Sequence, residues 1–166
     1  MIEQDTCCEL HPPKACSPTP CPECGRKGKT VARLTLGALL NPDRRPMIPA
    51  RQNELCFCPT PTCEVVYFQP GNVLFRKGDL SVSVGLKEPN DPMAPVCYCF
   101  GWTPRRIQAE VEATGASTAI EQIKAQVRGG NCYCEVTNPQ GSCCLGNVGR
   151  VVKEILARHQ HEMGRR

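Results

Sequence analysis

The chain has 166 residues, of which 14 are Cys, 16 Pro and 14 Gly, while aromatics make up 5%. That composition excludes one large hydrophobic core and points to one or two small, loop-rich units that need staples: disulfides, metals or oligomerisation. A net charge of +4, gathered late in the chain at Arg150, Lys153, Arg158, Arg165 and Arg166, is mild; it reads as a solvated helix face, not as the footprint of a nucleic-acid binder.

Residues 1–20 hold four prolines, three cysteines and no apolar periodicity, and read as a flexible arm. "CCELHPPKAC" puts Cys7, Cys8, His11 and Cys16 on it, soft donors suited to Cu(I) or another soft metal. The opening "MIEQDTCCELHPPKACSP" lacks the apolar region of a signal peptide. No segment approaches the run of about 18 apolar residues that a transmembrane helix requires. The expectation is therefore a cytoplasmic chain whose thiols are reduced or metal-bound instead of cross-linked.

The first unit, residues 21–87, reads as short strands and turns. "ELCFC", "EVVYF", "VLFRK" and "LSVSV" (Leu80–Val84) carry β-branched and aromatic residues between Pro, Gly and Asp punctuation. "TLGALL" reads as one helical turn capped by Thr35. "CPECGRKGK" is a C-x2-C knuckle in which Cys21 and Cys24 can face one ion, and the following Gly allows the tight turn. "CFCPTPTCEVVYF" then offers Cys56, Cys58 and Cys63. Four thiolates from two loops suit closed, tetrahedral Zn2+. Cys58 and Cys63, flanking the stiff "PTPT", are the favoured partners, with Cys56 spare or buried. A closed shell argues against zinc catalysis, which needs an open position.

"EPNDPMAP", Glu88 to Pro95, reads as a linker. The second unit, residues 96–163, reads as helices between cysteine loops. Thr103-Pro104 opens a helix that carries Ile107, Val111 and Thr114 on one face and stops at Gly115. Thr118 can cap the next, with Ile120, Ile123 and Val127 inward, until Gly129-Gly130. Leu145, Val148, Val152, Ile155 and Leu156 recur at helical spacing. These stripes are core. "VCYCFGW" supplies Cys97 and Cys99; "NCYCEVTNPQGSCCLG" supplies Cys132, Cys134, Cys143 and Cys144. That is more sulfur than one zinc needs. A Cys-Cys pair at a helix start meets free N–H groups and positive potential, which stabilise thiolates and bridging sulfide. A [2Fe-2S] cluster is favoured, with a second zinc, disulfides or free thiols as alternatives. His159 and His161 read as solvent-facing.

The run "CPECGRKGK", "CFCPTPTCEVVYF", "LFRKGDLSVSVGLKE", "VCYCFGWT" and "CEVTNPQGSCCLG", in that order, resembles the N-terminal domain of the iron–sulfur copper chaperone CopZ family across nearly all of Cys21 to Ile155. The second half also resembles bacterioferritin-associated ferredoxin, a small helical [2Fe-2S] module. The resemblance implies one zinc on Cys21, Cys24, Cys58 and Cys63 and one [2Fe-2S] cluster on Cys97, Cys99, Cys134 and Cys144. Cys132, one C-x-C step early, and Cys143 leave an alternative cluster register open. The copper-carrying domain of that family, with its Met-x-Cys-x-x-Cys loop, does not follow within these residues, which fits a stand-alone homologue or a truncated one.

The expected fold is α+β: a small zinc-stapled β unit followed by a helical [2Fe-2S]-binding unit. The expected function is one-electron transfer in metal handling, reducing Cu(II) to Cu(I). The partners would be metal ions and a redox donor, acceptor or copper-carrying protein, with no membrane span and no nucleic acid. No paired carboxylates, nucleophile–base pair or phosphate loop suggests an enzyme. The rivals are a two-zinc module docking a protein or nucleic acid, and a soft-metal sponge or sensor using the arm.

Overall fold

The computed structural model describes residues 20–50, 55–71 and 73–165. The expectations for the arm, including Cys7, Cys8, His11 and Cys16, lie outside the described residues.

Four short strands form one antiparallel sheet in chain order: β1 (Lys29–Thr30), β2 (Cys56–Phe57), β3 (Val65–Gln69) and β4 (Val73–Arg76). The β-branched and aromatic run of β3 is buried along its whole length, because both faces of the sheet are covered. On one face Phe57, Val66, Tyr67 and Phe75 pack with Leu36, Leu40, Leu55 and Leu80. On the other, Val65 and Phe68 pack with Cys21, Cys56, Cys58 and Cys63. A register shift between Val65 and Tyr67 lets consecutive Val66 and Tyr67 share a core, which strict alternation forbids. Gly28 is required beneath this sheet: a Cβ there would lie 2.7 Å from both the Cys56 Cβ and the Phe68 ring.

Helix α1 (Arg33–Leu39) is longer than the single turn expected, and its N-cap is Ala32. Thr35 therefore lies inside the helix, fully buried, and caps nothing. "LSVSV" is not a strand. Leu80 makes an isolated bridge to Leu40, the Ser81 hydroxyl donates to Leu39 O at 2.9 Å, and a 3-10 turn follows at Gly85–Lys87. Alternation is satisfied there by burial of Leu80 and Val84 without a hydrogen-bonded ladder.

The later part of the chain holds α2 (Pro104–Thr114), α3 (Ala119–Arg128), the four-residue α4 (Cys134–Thr137) and α5 (Leu145–Met163). α5 packs against both α2 and α3, burying Ile107 and Val111, then Ala119, Ile123 and Val127, against Val148, Val151, Val152 and Ile155. Thr103 caps α2 as expected, accepting from Arg106 N at 3.2 Å, and Gly115 closes it at φ 75°. Thr114 is exposed instead of inward; its hydroxyl donates to Glu110 O at 2.8 Å. Thr118 stands at the start of α3 but its hydroxyl turns back to the Glu110 carboxylate at 2.5 Å. No helix among the described residues is long and apolar enough to cross a membrane.

The two cysteine-rich parts meet at Tyr98, whose hydroxyl donates to Ser83 O at 2.8 Å and accepts from Gly85 N at 2.9 Å, and along the loop after α4. α1 packs on α4, and the buried Tyr67 hydroxyl donates to Pro139 O at 2.8 Å. Gly141, at φ 62°, lies so close that a Cβ would come within 3.0 Å of Val31 and 3.1 Å of Thr35. The sheet and α1 thus form the floor on which residues 134–144 are laid. Tyr67→Phe removes that hydroxyl and leaves a buried carbonyl without its donor, so it is expected to cost about 1–3 kcal/mol of unfolding free energy, read by chemical denaturation. An unchanged midpoint would show that the bond does not hold the loop.

Candidate metal centres

The first centre is built by two turns. Cys21 N donates to Arg26 O and Gly25 N to Cys21 O, each at 2.8 Å, and Gly25 sits at φ 70°; this curls the knuckle so that Cys21 and Cys24 share a side. Cys58 leaves β2 with its N–H on Val66 O at 2.9 Å, and Cys63 returns with its N–H on Thr60 O at 3.2 Å. All four Sγ atoms lie within 4.8 Å of one another, with Cys21–Cys63 at 3.9 Å and Cys24–Cys58 at 3.5 Å. A tetrahedron with arms of about 2.3 Å has an edge of roughly 3.8 Å, so the thiols stand at the spacing of a Zn–S4 shell. Cys21, Cys58 and Cys63 are buried and Cys24 is half-buried, which leaves no open position for a substrate. Cys56 is 1% exposed and lies outside this four-thiol group.

The surroundings favour thiolate at Cys24 and oppose it at Cys58 and Cys63. Burial opposes ionisation of Cys24, but hydrogen bonds from Thr60, at 3.2 Å, and from the Arg26 amide outweigh it and lower its pKa to about 6. Burial pushes Cys63 up to about 12 and also raises Cys58, against the nearby positive charge of Lys87. A metal must displace the protons those sites retain.

Lys87 is the residue that sequence reasoning missed here. It is 4% exposed, and its Nζ donates to Thr60 O at 2.9 Å and Cys63 O at 3.1 Å while lying 5.7 Å from the Phe57 ring centroid. A buried ammonium is costly unless paired. Lys87 pins the loop between Cys58 and Cys63, and it would balance part of the net charge of about −2 that four thiolates around a divalent ion carry. Lys87→Met is expected to weaken metal retention by about 10–100-fold, measured by competition with a chromogenic zinc chelator. Wild-type affinity in that variant would remove Lys87 from the site. Nothing in the spacing of "VGLKE" marks it.

The second centre gathers thiols from three places. Cys97 and Trp102 exchange backbone hydrogen bonds at 3.1 Å, and Gly101 at φ 63° closes this tight loop. Cys134 opens α4, and Cys144 stands immediately before α5. Cys97, Cys134 and Cys144 are buried; Cys99 is half-buried. Cys144 is within hydrogen-bonding reach of both Cys97 and Cys134, and Cys99 Sγ lies 3.8 Å from Cys134 Sγ. The four thiols that the resemblance implies are thus brought together. A fifth joins them: Cys132 Sγ is 3.5 Å from Cys134 Sγ, and the sulfurs of Cys99, Cys132 and Cys134 lie within 4.8 Å of one another. Cys143 is half-buried and outside that group.

Donors surround these sulfurs. Tyr133 N donates to Cys99 Sγ at 3.3 Å, and the Thr137 hydroxyl lies 3.1 Å from it. The Cys144 proton, shared with Cys134 and Cys97, lowers the pKa of Cys134 to about 6 and also lowers that of Cys97, against burial. Cys144 is correspondingly raised, by those two hydrogen bonds first and then by burial. Asn138, 1% exposed, donates to Ser142 O at 2.6 Å and receives Gln140 N at 3.1 Å, fixing the turn between Cys134 and Cys144. Trp102 is 3% exposed, and Arg106 stacks 3.8 Å from its ring centroid while donating to Phe100 O at 3.1 Å. His159 is half-buried and His161 exposed on α5, in neither thiol group.

A CopZ-type family described as a zinc binding domain matches residues 18–81. The copper chaperone CopZ of Archaeoglobus fulgidus is 39% identical over 131 residues, which are 79% of this chain and 60% of that protein; the chain thus spans less than two thirds of that relative. The X-ray structure of the Archaeoglobus fulgidus CopZ N-terminal domain superposes with a TM-score of 0.66 at 38% identity, covering 80% of this chain and 96% of that one. A small antiparallel sheet with helices is therefore a shared architecture, and the chain belongs to the family of CopZ N-terminal zinc-binding domains.

Proposed function

We propose that this protein is a one-electron redox protein of metal handling. Cys21, Cys24, Cys58 and Cys63 hold Zn2+; Cys97, Cys99, Cys134 and Cys144 hold a [2Fe-2S] group; and copper is the metal handled. The observation that carries the reading is the all-thiol second group, set beside a separate closed four-thiol shell and provided with N–H and hydroxyl donors to sulfur. That donor set fits an iron–sulfur group, whose ligands are thiolates tuned by hydrogen bonds and solvent exclusion. The group supplies electrons singly, as the conversion of Cu(II) to thiolate-binding Cu(I) requires.

The chain's own residues do the rest. Trp102 and Phe100 keep water from the Cys97 side, and half-buried Cys99 is the ligand nearest solvent. The zinc shell fixes the sheet, and through Tyr67 and α1 it fixes the loop that carries Cys134 and Cys144. Copper enters through the relative, a copper chaperone by name. The likeness of the second half to bacterioferritin-associated ferredoxin belongs to the same reading. The two-unit division at residues 21–87 and 96–163 is its structural counterpart.

Dithionite-reduced, desalted protein mixed anaerobically with Cu(II) and a Cu(I)-specific chelator should form Cu(I) in step with loss of the reduced-state paramagnetic signal. A signal that persists beside Cu(II) would remove copper from the account. A second reading has a specific observation in its favour: spacings of 3.5 and 3.8 Å among Cys132, Cys134 and Cys99 also suit one mononuclear ion. A two-zinc docking module would lack iron and sulfide, and retention of nucleic acid that falls with salt would support it. Soft-metal uptake by Cys7, Cys8 and Cys16 would instead vanish on truncation before Pro20 while the second centre's spectrum stayed unchanged.

A further inference from the structure

We propose that Cys132 is an alternate ligand of the second centre, able to take the place of Cys134. The inference rests on the iron–sulfur reading above and concerns a thiol that the four-ligand pattern leaves unused.

The five sulfurs divide into two sets. Cys97 and Cys144 form an inner pair, 0% and 2% exposed and in mutual hydrogen-bonding contact, and Cys144 also reaches Cys134, which is 7% exposed. Cys99, Cys132 and Cys134 form an outer triad within 4.8 Å of one another. A bridged two-iron group takes four thiolates. The inner pair supplies two of them, so three outer thiols compete for two places. Cys132 is not a bystander by environment, because each outer sulfur receives a backbone N–H: Cys99 from Tyr133 at 3.3 Å, Cys132 from Cys134, and Cys134 from Cys144. N–H donors of this kind accompany ligating thiolates.

The chain around Cys132 also permits the change. Cys132 lies between the end of α3, where Gly130 takes φ 76°, and the first residue of α4. It stands two residues from Cys134 with its sulfur 3.5 Å away, so substitution asks for a side-chain rotation and no transfer between elements. Tyr133, 60% exposed between the two, is not packed in a way that would resist it. The exchange is a ligand substitution without oxidation or reduction. The bond from iron to Cys134 sulfur breaks, the bond to Cys132 sulfur forms, and the Cys132 thiol proton passes to the departing Cys134 sulfur. Cys143 has no such part, since it lies outside the triad.

The test uses the full chain, reconstituted anaerobically with iron and sulfide, as wild type, C132A, C134A and the C132A/C134A double variant. Alanine is chosen because a serine oxygen can ligate iron. Zinc content reports folding, and iron, sulfide and the reduced-state paramagnetic spectrum report the second centre. C134A should keep most of its iron with a shifted spectrum, while the double variant should hold roughly tenfold less. C134A that loses iron as completely as the double variant, with zinc intact, would overturn the proposal. Should C134A lose zinc as well, the rate of iron loss from C132A to a chelator decides: several-fold faster than wild type supports a reserve ligand, and the wild-type rate overturns it. Wild-type protein that takes up no iron and sulfide would remove the underlying reading instead.

Discussion

Cys58→Ala is expected to empty the first centre and to melt the sheet with it. Cys58 is 0% exposed and follows directly on β2, in a cluster with Cys21, Cys63, Val65 and Phe68. Removing it breaks a closed shell and opens a cavity in the same step. Structural zinc binding is worth about 10–16 kcal/mol, as much as or more than the 5–15 kcal/mol that holds a typical domain together. The strands are two to five residues long, too short to persist by pairing alone. The expected result is near-complete loss of zinc by elemental analysis and loss of the cooperative melt of the β unit. Because Tyr67 and α1 support residues 134–144, iron uptake by the second centre should fall too. A Cys58→Ala protein that keeps zinc and its melting transition would show that the shell is not the staple.

Cys144→Ala is expected to act in one direction only, abolishing the second centre and sparing the first. Cys144 is 2% exposed and reaches both Cys97 and Cys134, and no spare thiol duplicates it in the inner pair. Its neighbour is the control: Cys143→Ala, on a half-buried residue outside the thiol group, should leave iron content unchanged. Full zinc with roughly tenfold less iron in Cys144→Ala, and wild-type values in Cys143→Ala, are the predicted pattern. The reverse pattern would move the ligand to Cys143 and change the register of the loop.

Some of this arrangement was legible because the residues involved admit few conformations. The knuckle at Cys21 and Cys24 needs a left-handed residue after it, and Gly25 supplies one; Thr103, Pro104 and Gly115 bracket α2 for the same kind of reason. Where the sequence misled, tertiary contacts had overridden local pattern. Thr35 has the chemistry of a cap, yet it is buried in α1 with an unpartnered hydroxyl beside Gly141. "LSVSV" alternates like a strand, but a single bridge to Leu40 replaces a ladder. β1, two residues long, and α4, four residues long, are too short to show any period. Within the candidate site, C-x-C spacing alone does not separate Cys132 from Cys134; only the resemblance, through the motif after Cys134, favours Cys134. Lys87 was invisible because its role arises only when the turn at Gly85–Lys87 folds over the Thr60–Cys63 loop.

The central claim is that two chemically different centres share this chain, and metal and sulfide analysis of anaerobically isolated protein tests it most directly. The account predicts zinc and iron together, in a ratio of about one to two, with acid-labile sulfide equal to the iron. Zinc alone, near two per chain and without sulfide, would contradict it.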